Sequence, residues 1–475
     1  MIVIVALPVM IQQFLAATVG LFDKILAGAL PESIVVASLD GLGVGSYVGW
    51  LIGIAMAGIG IGGQALIARA MGSGDPDQSH SALAQSLLIS TIWGTLFAVV
   101  MWFMAPWLAD LALNESQADA REYCIEYVRI MAYGLPFFGI MMVGGMCMHG
   151  AGESLVPSII AILVNVVNVG VSWGLSGADL EWLGVDGVEN PFGFDLHVSG
   201  IAWGTVISFA CGALLTLVAL ARGIKDLRLE SRRLCLDVAM AWRVVRIGIP
   251  NFFEGLSMWM ANLVVLWFIG EVATSKMAQH VLLDSSEDSV DLAEAGQGLQ
   301  GAHIIAVQWE AFSFLPGFAI GIAAGAIAGQ FLGAGNLRMA RKAVWTCIGI
   351  GIVIMGLLGV VFSIFGKALT SVISDDPVYM ETVPSLLLIC GVTQVFFAIS
   401  MVTRQALRGT GDTLWVFIIT TCSSYLVRLP AAWFLGIYLE MGLVGIWIGL
   451  CGELVVRSML FLARFMQGGW AKKAI

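Results

Sequence analysis

Apolar residues recur along this chain in long runs that short polar turns separate. Each of twelve runs reaches the roughly 20 residues that a helix needs to cross the hydrocarbon core of a bilayer. Because lipid offers no hydrogen-bond partners to an open strand, such runs are predicted to be helical. They lie at 3–27, 45–70, 86–109, 124–148, 155–176, 198–221, 248–270, 303–331, 344–366, 383–407, 413–436 and 441–465. The pattern predicts an all-α, polytopic membrane protein with twelve transmembrane helices.

Composition supports a membrane protein and excludes a soluble one. Hydrophobic residues make up 59% of the 475 residues and charged residues 12%, whereas a soluble domain carries about a quarter charged residues. The first run follows Met1 without a basic segment or a small-residue cleavage site, so it is expected to be a retained span and not a signal peptide.

Basic residues indicate the orientation. The connection 222–246 holds seven Lys and Arg residues. Further basic residues follow the eighth run and close the chain: Arg338, Arg341, Lys342, Lys472 and Lys473. If every run spans, all of them lie on one side, which the positive-inside rule makes cytoplasmic. We expect a multi-pass protein of the cytoplasmic membrane with both termini inside, and the acidic connections 177–197 and 282–296 solvated outside.

Several kinds of chemistry lack a signal. The eight cysteines form no CxxC pair, and five scattered histidines form no zinc-type cluster. "GSGD" at 72–75 lacks the Lys-Ser/Thr of a P-loop, and no Ser-His-Asp arrangement stands out. The chain is therefore expected not to be an enzyme, to carry no cofactor and to bind no nucleic acid.

The two halves of the chain repeat each other in the same order. Three echoes carry the repeat: "GGQALIARAMGSGD" at 62–75 with "AAGAIAGQFLGAGN" at 323–336, "MHGAGES" at 148–154 with "LRGTGDT" at 407–413, and "ALPVMIQQF" at 6–14 with "GIPNFFEGL" at 248–256. They predict an N-lobe at 1–221, a basic linker at 222–247 and a C-lobe at 248–475. Since each half holds six helices, a pseudo-two-fold axis along the membrane normal should relate the lobes. The second and eighth helices should end together, at Gly72 and Gly333.

The sequence resembles the MATE family, the multidrug and toxic compound extrusion transporters of the multidrug/oligosaccharidyl-lipid/polysaccharide exporter superfamily. The most specific matches are "LPVMIQQF" and "VGLFDKILAG" in the first helix, "QALIARAMGSGD" closing the second and "ALRGTGDT" after the tenth. The resemblance implies two lobes around a central cavity that opens alternately to each side. It further implies export of a small molecule driven by inward flow of protons or sodium ions.

Ionisable residues inside a membrane are costly and therefore mark candidate sites. Asp23 resembles the family's first-helix aspartate, and a carboxylate in a low-dielectric interior can load and release a proton. Neutralisation by neighbouring Lys24 is the alternative, which the 100° between adjacent helical residues disfavours. Pro8 matches the family's first-helix proline, and a proline permits a hinge because it removes a backbone hydrogen bond.

The resemblance adds Asn168 and Thr205 to the N-lobe site, where they would orient Asp23 or donate oxygen to a sodium ion at Asp23 and Asn168. A second family aspartate is replaced by Ser172, which leaves one carboxylate. Whether the coupling ion is H⁺ or Na⁺ stays open.

The C-lobe offers a second set of coupling candidates. Glu254 resembles a seventh-helix glutamate that other branches of the family use, and Glu310 could replace the missing tenth-helix acid. By helix rise the two should not touch. Glu453 and Arg457, four residues apart on one helix face, are predicted to form a structural ion pair.

No motif encodes the substrate. Met141, Met142, Met146 and the interior Arg428 are predicted to line a soft cavity for cationic or amphipathic compounds, although methionine packing explains the first three equally well. A lipid-linked precursor flippase of the same superfamily is the alternative function, and a membrane-embedded enzyme is disfavoured because no catalytic constellation appears. The protein is expected to act as a monomer in the bilayer.

Overall fold

Every predicted run coincides with a helix of the computed structural model, except that Met441 precedes the last helix; the structure describes all residues except 1, 32, 113–117, 183–184, 189, 191, 193, 284–290, 375–376 and 473–475. The helices are α1 (Ile2–Gly28), α2 (Val35–Ser73), α3 (Pro76–Ala112), α4 (Ala118–Gly150), α5 (Leu155–Ser176), α6 (His197–Arg222), α7 (Val238–Leu283), α8 (Asp291–Gly333), α9 (Leu337–Ser371), α10 (Pro377–Gly409), α11 (Thr413–Tyr438) and α12 (Gly442–Gln467). Where side chains are described, eleven helical stretches are long and apolar enough to span a membrane. In α1 the described side chains give the shorter apolar stretch Ala6–Leu15.

The eleventh helix is irregular. Its regular first part, Thr413–Ser423, is followed by a wide π-helical turn at Ser424–Arg428, a short α-helical segment at Leu429–Trp433 and a second π-helical turn at Phe434–Tyr438. Such turns inside α-helices are frequent at functional sites because they displace side chains from the regular helical spacing.

Small elements occupy the connections. The predicted outer loop at 177–197 contains a hairpin in which β1 (Leu180–Trp182) pairs antiparallel with β2 (Val185–Val188). Single 3₁₀ turns occur at Ser231–Arg233 and Gly469–Lys472.

The linker prediction was too long. Helix α7 begins at Val238, inside the predicted linker 222–247, because Asp237 caps it: its Oδ1 accepts hydrogen bonds from the backbone N–H groups of Ala239 (3.0 Å) and Met240 (3.1 Å). The connection between the lobes is therefore 223–237.

The predicted loop 282–296 was also too long. Helix α7 continues to Leu283 and α8 begins at Asp291, so both helices extend into this stretch. Residues 284–290 lie outside the described residues.

Helix packing repeats between the halves. Helix α4 packs on α2 and α3 in the N-lobe, and α10 packs on α8 and α9 in the C-lobe. These are equivalent pairs if α1–α6 correspond to α7–α12. The two halves therefore share one packing order, as two six-helix lobes would require.

The lobes meet where α2 and α8 end. A side chain added at Gly72 would collide with the Gln330 carbonyl oxygen, and one added at Gly333 would collide with that of Arg69. The contact is reciprocal, because 261 residues separate Gly72 from Gly333 and Arg69 from Gln330. Helix α2 ends at Ser73 and α8 at Gly333, so α8 ends at the predicted residue and α2 one residue later; the superposition of the two helices stays a prediction.

Two hydrogen bonds between the lobes are nearly reciprocal, because their acceptors differ by one residue from positions that the repeat matches. Arg69 Nη2 of the N-lobe donates to the Thr410 carbonyl of the C-lobe (3.2 Å), and Gln330 Nε2 of the C-lobe donates to the Gly150 carbonyl of the N-lobe (3.0 Å). Helix α2 also packs on α7, and α1 on α8. These contacts join the lobes on one side of the protein.

The connection between the lobes lies on that same side. Gln85 Nε2 donates to the Cys235 carbonyl (2.8 Å), and Lys225 Nζ donates to the Gly152 carbonyl (2.5 Å). Arg233 forms an ion pair with Asp77. We call this side, with the turns after α2, α4, α8 and α10, the basic face.

Candidate functional site

A polar network surrounds Asp23 in the N-lobe. Asp23 is 4% exposed, and its Oδ2 accepts a hydrogen bond from Thr205 Oγ1 (3.2 Å). Thr205 Oγ1 in turn accepts from Asn168 Nδ2 (3.0 Å). The three predicted residues therefore come together in the lobe interior, whereas Lys24 is exposed, which argues against neutralisation of Asp23 by its neighbour.

Close packing of α5 and α6 creates this network. Gly200 and Gly204 are four residues apart on α6, and a Cβ on either would collide with the α5 backbone, at Leu175 or Ser172. Such small-residue spacing lets membrane helices approach closely. It brings Thr205, which follows Gly204, against α5.

Ser172 occupies the place of the second family aspartate as a neutral group. Its Oγ donates to the Ile201 carbonyl (3.3 Å) and accepts from Asn168 Nδ2 (3.4 Å). The site thus combines one carboxylate with uncharged partners. Among the described residues no cluster of three or more His, Cys, Asp or Glu side chains is placed to hold a metal ion.

Two oxygen atoms at this site have no hydrogen-bond donor among the described residues. Oδ1 of Asp23 and Oδ1 of Asn168 are both buried, and no described group donates a hydrogen bond to either. A buried acceptor without a donor is costly. Binding a proton or a small cation is the chemistry that would satisfy a carboxylate and an amide oxygen together.

A cavity of about 280 Å³ lies in the same lobe, one turn of α5 nearer the basic face. Met141, Met142 and Met148 line it together with polar Gln12 and Gln13. The described lining also includes Phe138, Gly145, Pro157, Ile160, Ala161, Val164, Asn165, Phe209 and Thr216. The cavity is mostly apolar with a few convergent amides, which is typical of small-molecule sites.

Two predicted cavity residues lie elsewhere. Met146 packs against Gly60 of α2, because a helix turns about 100° per residue and so spreads neighbouring methionines over different faces. Arg428 lies in the C-lobe, where its Nη1 donates to Asn262 Oδ1 (3.2 Å).

Glu254 in the C-lobe is already paired. Its Oε2 accepts from Arg408 Nη2 (2.6 Å), its Oε1 accepts from Thr420 Oγ1 (2.9 Å), and Arg404 Nη1 lies 3.7 Å from Oε1. The carboxylate is 1% exposed. Neither arginine is among the predicted site residues, although their spacing of four residues places both on one face of α10.

Other C-lobe acids have separate partners. Glu310 lies on α8, where the charge of Arg428 acts on it. Arg457 Nε donates to Glu453 Oε1 (2.6 Å), which confirms the predicted ion pair. Arg457 also donates to two serines of α11, one of them at the start of the first π-helical turn.

Pro8 lies inside α1, and its carbonyl accepts a hydrogen bond from Ser158 Oγ of α5 (2.5 Å). This bond ties α1 to α5 beside the cavity. A hinge at Pro8 stays a prediction.

Comparison with known proteins gives a consistent result. The family model described as MatE matches residues 8–173 and 297–434, more than half of the chain. A probable multidrug resistance protein NorM of Thermotoga maritima is 26% identical, with 99% of this chain and 92% of that protein aligned. The multidrug resistance protein MdtK of Pectobacterium atrosepticum is 22% identical, over 97% of this chain and 94% of its own.

Solved structures share the fold. A MATE protein in the bent conformation superposes with a TM-score of 0.83 at 21% identity, covering 99% of this chain and 95% of its own. A MOP superfamily transporter from Pyrococcus furiosus gives 0.82 at 21% identity, covering 100% and 96%. With the extent of the family match and the two six-helix lobes, these findings show that the chain belongs to the MatE family of membrane transporters.

Proposed function

We propose that this protein is a secondary active exporter that exchanges a small cationic or amphipathic compound for an inward-moving H⁺ or Na⁺ at Asp23. The unpartnered oxygens of Asp23 and Asn168 carry this proposal. They form a buried, singly charged site whose charge a proton or a sodium ion would cancel. The names of the relatives NorM and MdtK, both multidrug resistance proteins, support an efflux function.

The N-lobe provides both parts of the exchange. The ion site and the methionine-lined cavity share α1, α5 and α6, with Asn168 one turn from Asn165 on α5. A cation bound at Asp23 would change the packing of α1 against α5, and α5 also forms one wall of the cavity. Ion and cargo would therefore compete through the position of α1, as an antiporter requires.

The contacts between the lobes indicate the state of the cycle. The α2–α8 crossing and two nearly reciprocal hydrogen bonds hold the lobes together at the basic face. We assign that face to the cytoplasm from its Lys and Arg content. Both termini of this cell-membrane protein would then lie in the cytoplasm. This conformation would be closed on the cytoplasmic side. We propose a monomer as the transporting unit, since each lobe supplies one half of the path.

Gradient-driven uptake of a fluorescent cation into inverted membrane vesicles tests the proposal. Sodium and proton gradients are imposed separately. One of them should drive uptake, and Asp23→Asn, which keeps the shape but removes the titratable charge, should abolish it without loss of membrane insertion. Glu126→Gln is the matched control, because Glu126 is an exposed carboxylate on α4. Unchanged uptake by Asp23→Asn, with Glu254→Gln inactive, would move coupling to the C-lobe.

A further inference from the structure

The two lobes differ at equivalent positions of the basic face. With the 261-residue spacing that separates the ends of α2 and α8, Asp77 of α3 corresponds to Arg338 of α9, and Ala84 corresponds to Trp345. In the N-lobe, Arg233 of the linker forms an ion pair with Asp77, and Ala84 is buried. In the C-lobe both equivalent residues are exposed, and a guanidinium stands in place of the carboxylate. A surface that the linker covers in the N-lobe is thus exposed, among the described residues, in the C-lobe.

Three basic residues lie on this exposed part of α9. Arg338, Arg341 and Lys342 are all exposed, and none of them forms an ion pair with a described carboxylate. No Asp or Glu occurs in α9 or in the turn before it. Asp412, in the turn after α10, is buried, and its Oδ2 accepts a hydrogen bond from Arg464 Nε (2.8 Å). The three cations therefore favour an anionic partner from outside the chain.

The same face of α9 continues as an apolar ridge. Lys342, Val353 and Val360 lie within about 20° of one another around the helix axis, and both valines are exposed. Gly349 lies between them, and a Cβ there would meet no atom within 4 Å, so the ridge has a gap at this position. From Lys342 to Val353 the helix rises about 16 Å, which is close to half of a ~30 Å hydrocarbon core. Exposed Trp345 lies one turn from the cations, where aromatic side chains are enriched at membrane surfaces.

We propose that this face of α9 binds an anionic phospholipid of the leaflet at the basic face. Arg338, Arg341 and Lys342 would hold the headgroup, since guanidinium and ammonium groups bind phosphate oxygens strongly. The acyl chain would follow the ridge past Gly349. A lipid fits better than a soluble anion, because one molecule with a charged head and an apolar tail contacts both parts of the helix face.

Two lipids that differ only in their headgroups test the proposal. Phosphatidylglycerol and phosphatidylcholine are prepared with the same acyl chains and the same dye on one chain. Their binding to the purified full-length protein in a neutral detergent is measured by fluorescence polarisation. The parent protein should bind phosphatidylglycerol more tightly. Each basic residue near an anionic headgroup changes the affinity by about fivefold. Replacing Arg338, Arg341 and Lys342 together by Gln should therefore weaken phosphatidylglycerol roughly 100-fold and phosphatidylcholine little.

Two lysines of α9 supply a matched pair of single variants. Lys342→Gln should weaken phosphatidylglycerol about fivefold. Lys367→Gln removes the same charge at the other end of the same helix, where Lys367 is also exposed, and should change the binding of neither lipid. Arg222→Gln removes an exposed cation from the N-lobe part of the basic face and should also have no effect. Equal weakening by Lys342→Gln and Arg222→Gln would show a general attraction of charges and overturn the proposed site.

Soluble glycerol phosphate separates a lipid from a free anion. It carries the headgroup charge without acyl chains, so it should displace labelled phosphatidylglycerol only at far higher concentration than the unlabelled lipid does. Displacement at equal concentration would mean that the surface binds a free phosphate and that the lipid assignment is wrong. Equal binding of the two labelled lipids to the parent protein, or unchanged binding by the triple variant, would also overturn the proposal. None of these results depends on ion coupling or export, so the proposed function stands or falls separately.

Discussion

Substitutions at the crossing of α2 and α8 test the contact between the lobes most directly. Gly72→Ala or Gly333→Ala adds one methyl group where the partner helix presents its backbone. A backbone carbonyl cannot rotate away as a flexible side chain can, so the helices must separate. We expect both substitutions to favour the conformation in which the lobes are apart at the basic face.

The magnitude follows from the overlap. At Gly72 the added carbon would approach the carbonyl oxygen, carbonyl carbon and Cα of Gln330, the latter two at 2.7 and 2.9 Å. Overpacking of this kind costs about 1–3 kcal/mol. Because the cost falls only on the state in which the helices touch, it should shift the ratio of the two states by roughly 5- to 150-fold.

Double electron–electron resonance, which measures the distance between two spin labels, reports this shift. Spin labels are placed at exposed Asp226, in the part of the linker that contacts the N-lobe at His80 and Gly152, and at exposed Arg338 of the C-lobe. The exposed cysteines Cys235 and Cys422 are replaced by serine. The distance distribution should move towards longer values in Gly72→Ala. Labelled parent protein gives the reference distribution.

Helix α2 supplies its own control. A Cβ added at Gly53 would meet no atom within 4 Å, so Gly53→Ala changes the same helix by the same atom without a collision. It should leave the distances as they are in the parent. The reasoning is refuted if Gly72→Ala gives the parent distribution, or if Gly53→Ala shifts it equally.

Three further outcomes follow from individual contacts. Glu453→Gln leaves a buried arginine unpaired and should lower stability by about 3–5 kcal/mol, seen as a lower unfolding temperature in detergent. Hydrogen bonds from two linker arginines lower the pKa of Glu230 from 4.5 to about 2. Its stabilisation is thus complete above pH 4.5 and lost as pH falls towards 2, and amide exchange in 223–237 should rise over that range and stay constant from pH 5 to 8. Thr205→Val removes the donor to Asp23 and should slow gradient-driven uptake, with Thr205→Ser restoring most of it.

The helices could be predicted from apolar runs, but hydropathy alone does not give their ends. Hydropathy reports the part of a helix that contacts lipid, whereas the polar first turns depend on caps. Asp237 starts α7 ten residues before its apolar run begins. Asp75 likewise accepts a hydrogen bond from the Gln78 N–H (3.0 Å) and starts α3 at Pro76, ten residues before the predicted start. Both starts carry an N-cap aspartate signal in the sequence.

The N-lobe site could be predicted because the family resemblance supplied all three of its members. The C-lobe pairing could not, since the Arg408–Glu254 contact joins residues 154 positions apart and no helix periodicity relates α7 to α10. Local patterns succeeded only where both partners share one helix, as Glu453 and Arg457 do.

The two lobes repeat one framework but treat charge in opposite ways. A carboxylate that couples an ion gradient to transport must be able to change its charge while it stays buried. Glu254 and Glu453 each have a guanidinium at 2.6 Å, and removing the carboxylate charge would leave that permanent cation uncompensated. Asp23 faces hydroxyl and amide groups, which accept either state of the carboxyl by reorienting. In the proposed mechanism the N-lobe therefore changes charge during the cycle, whereas the paired carboxylates of the C-lobe stay ionised.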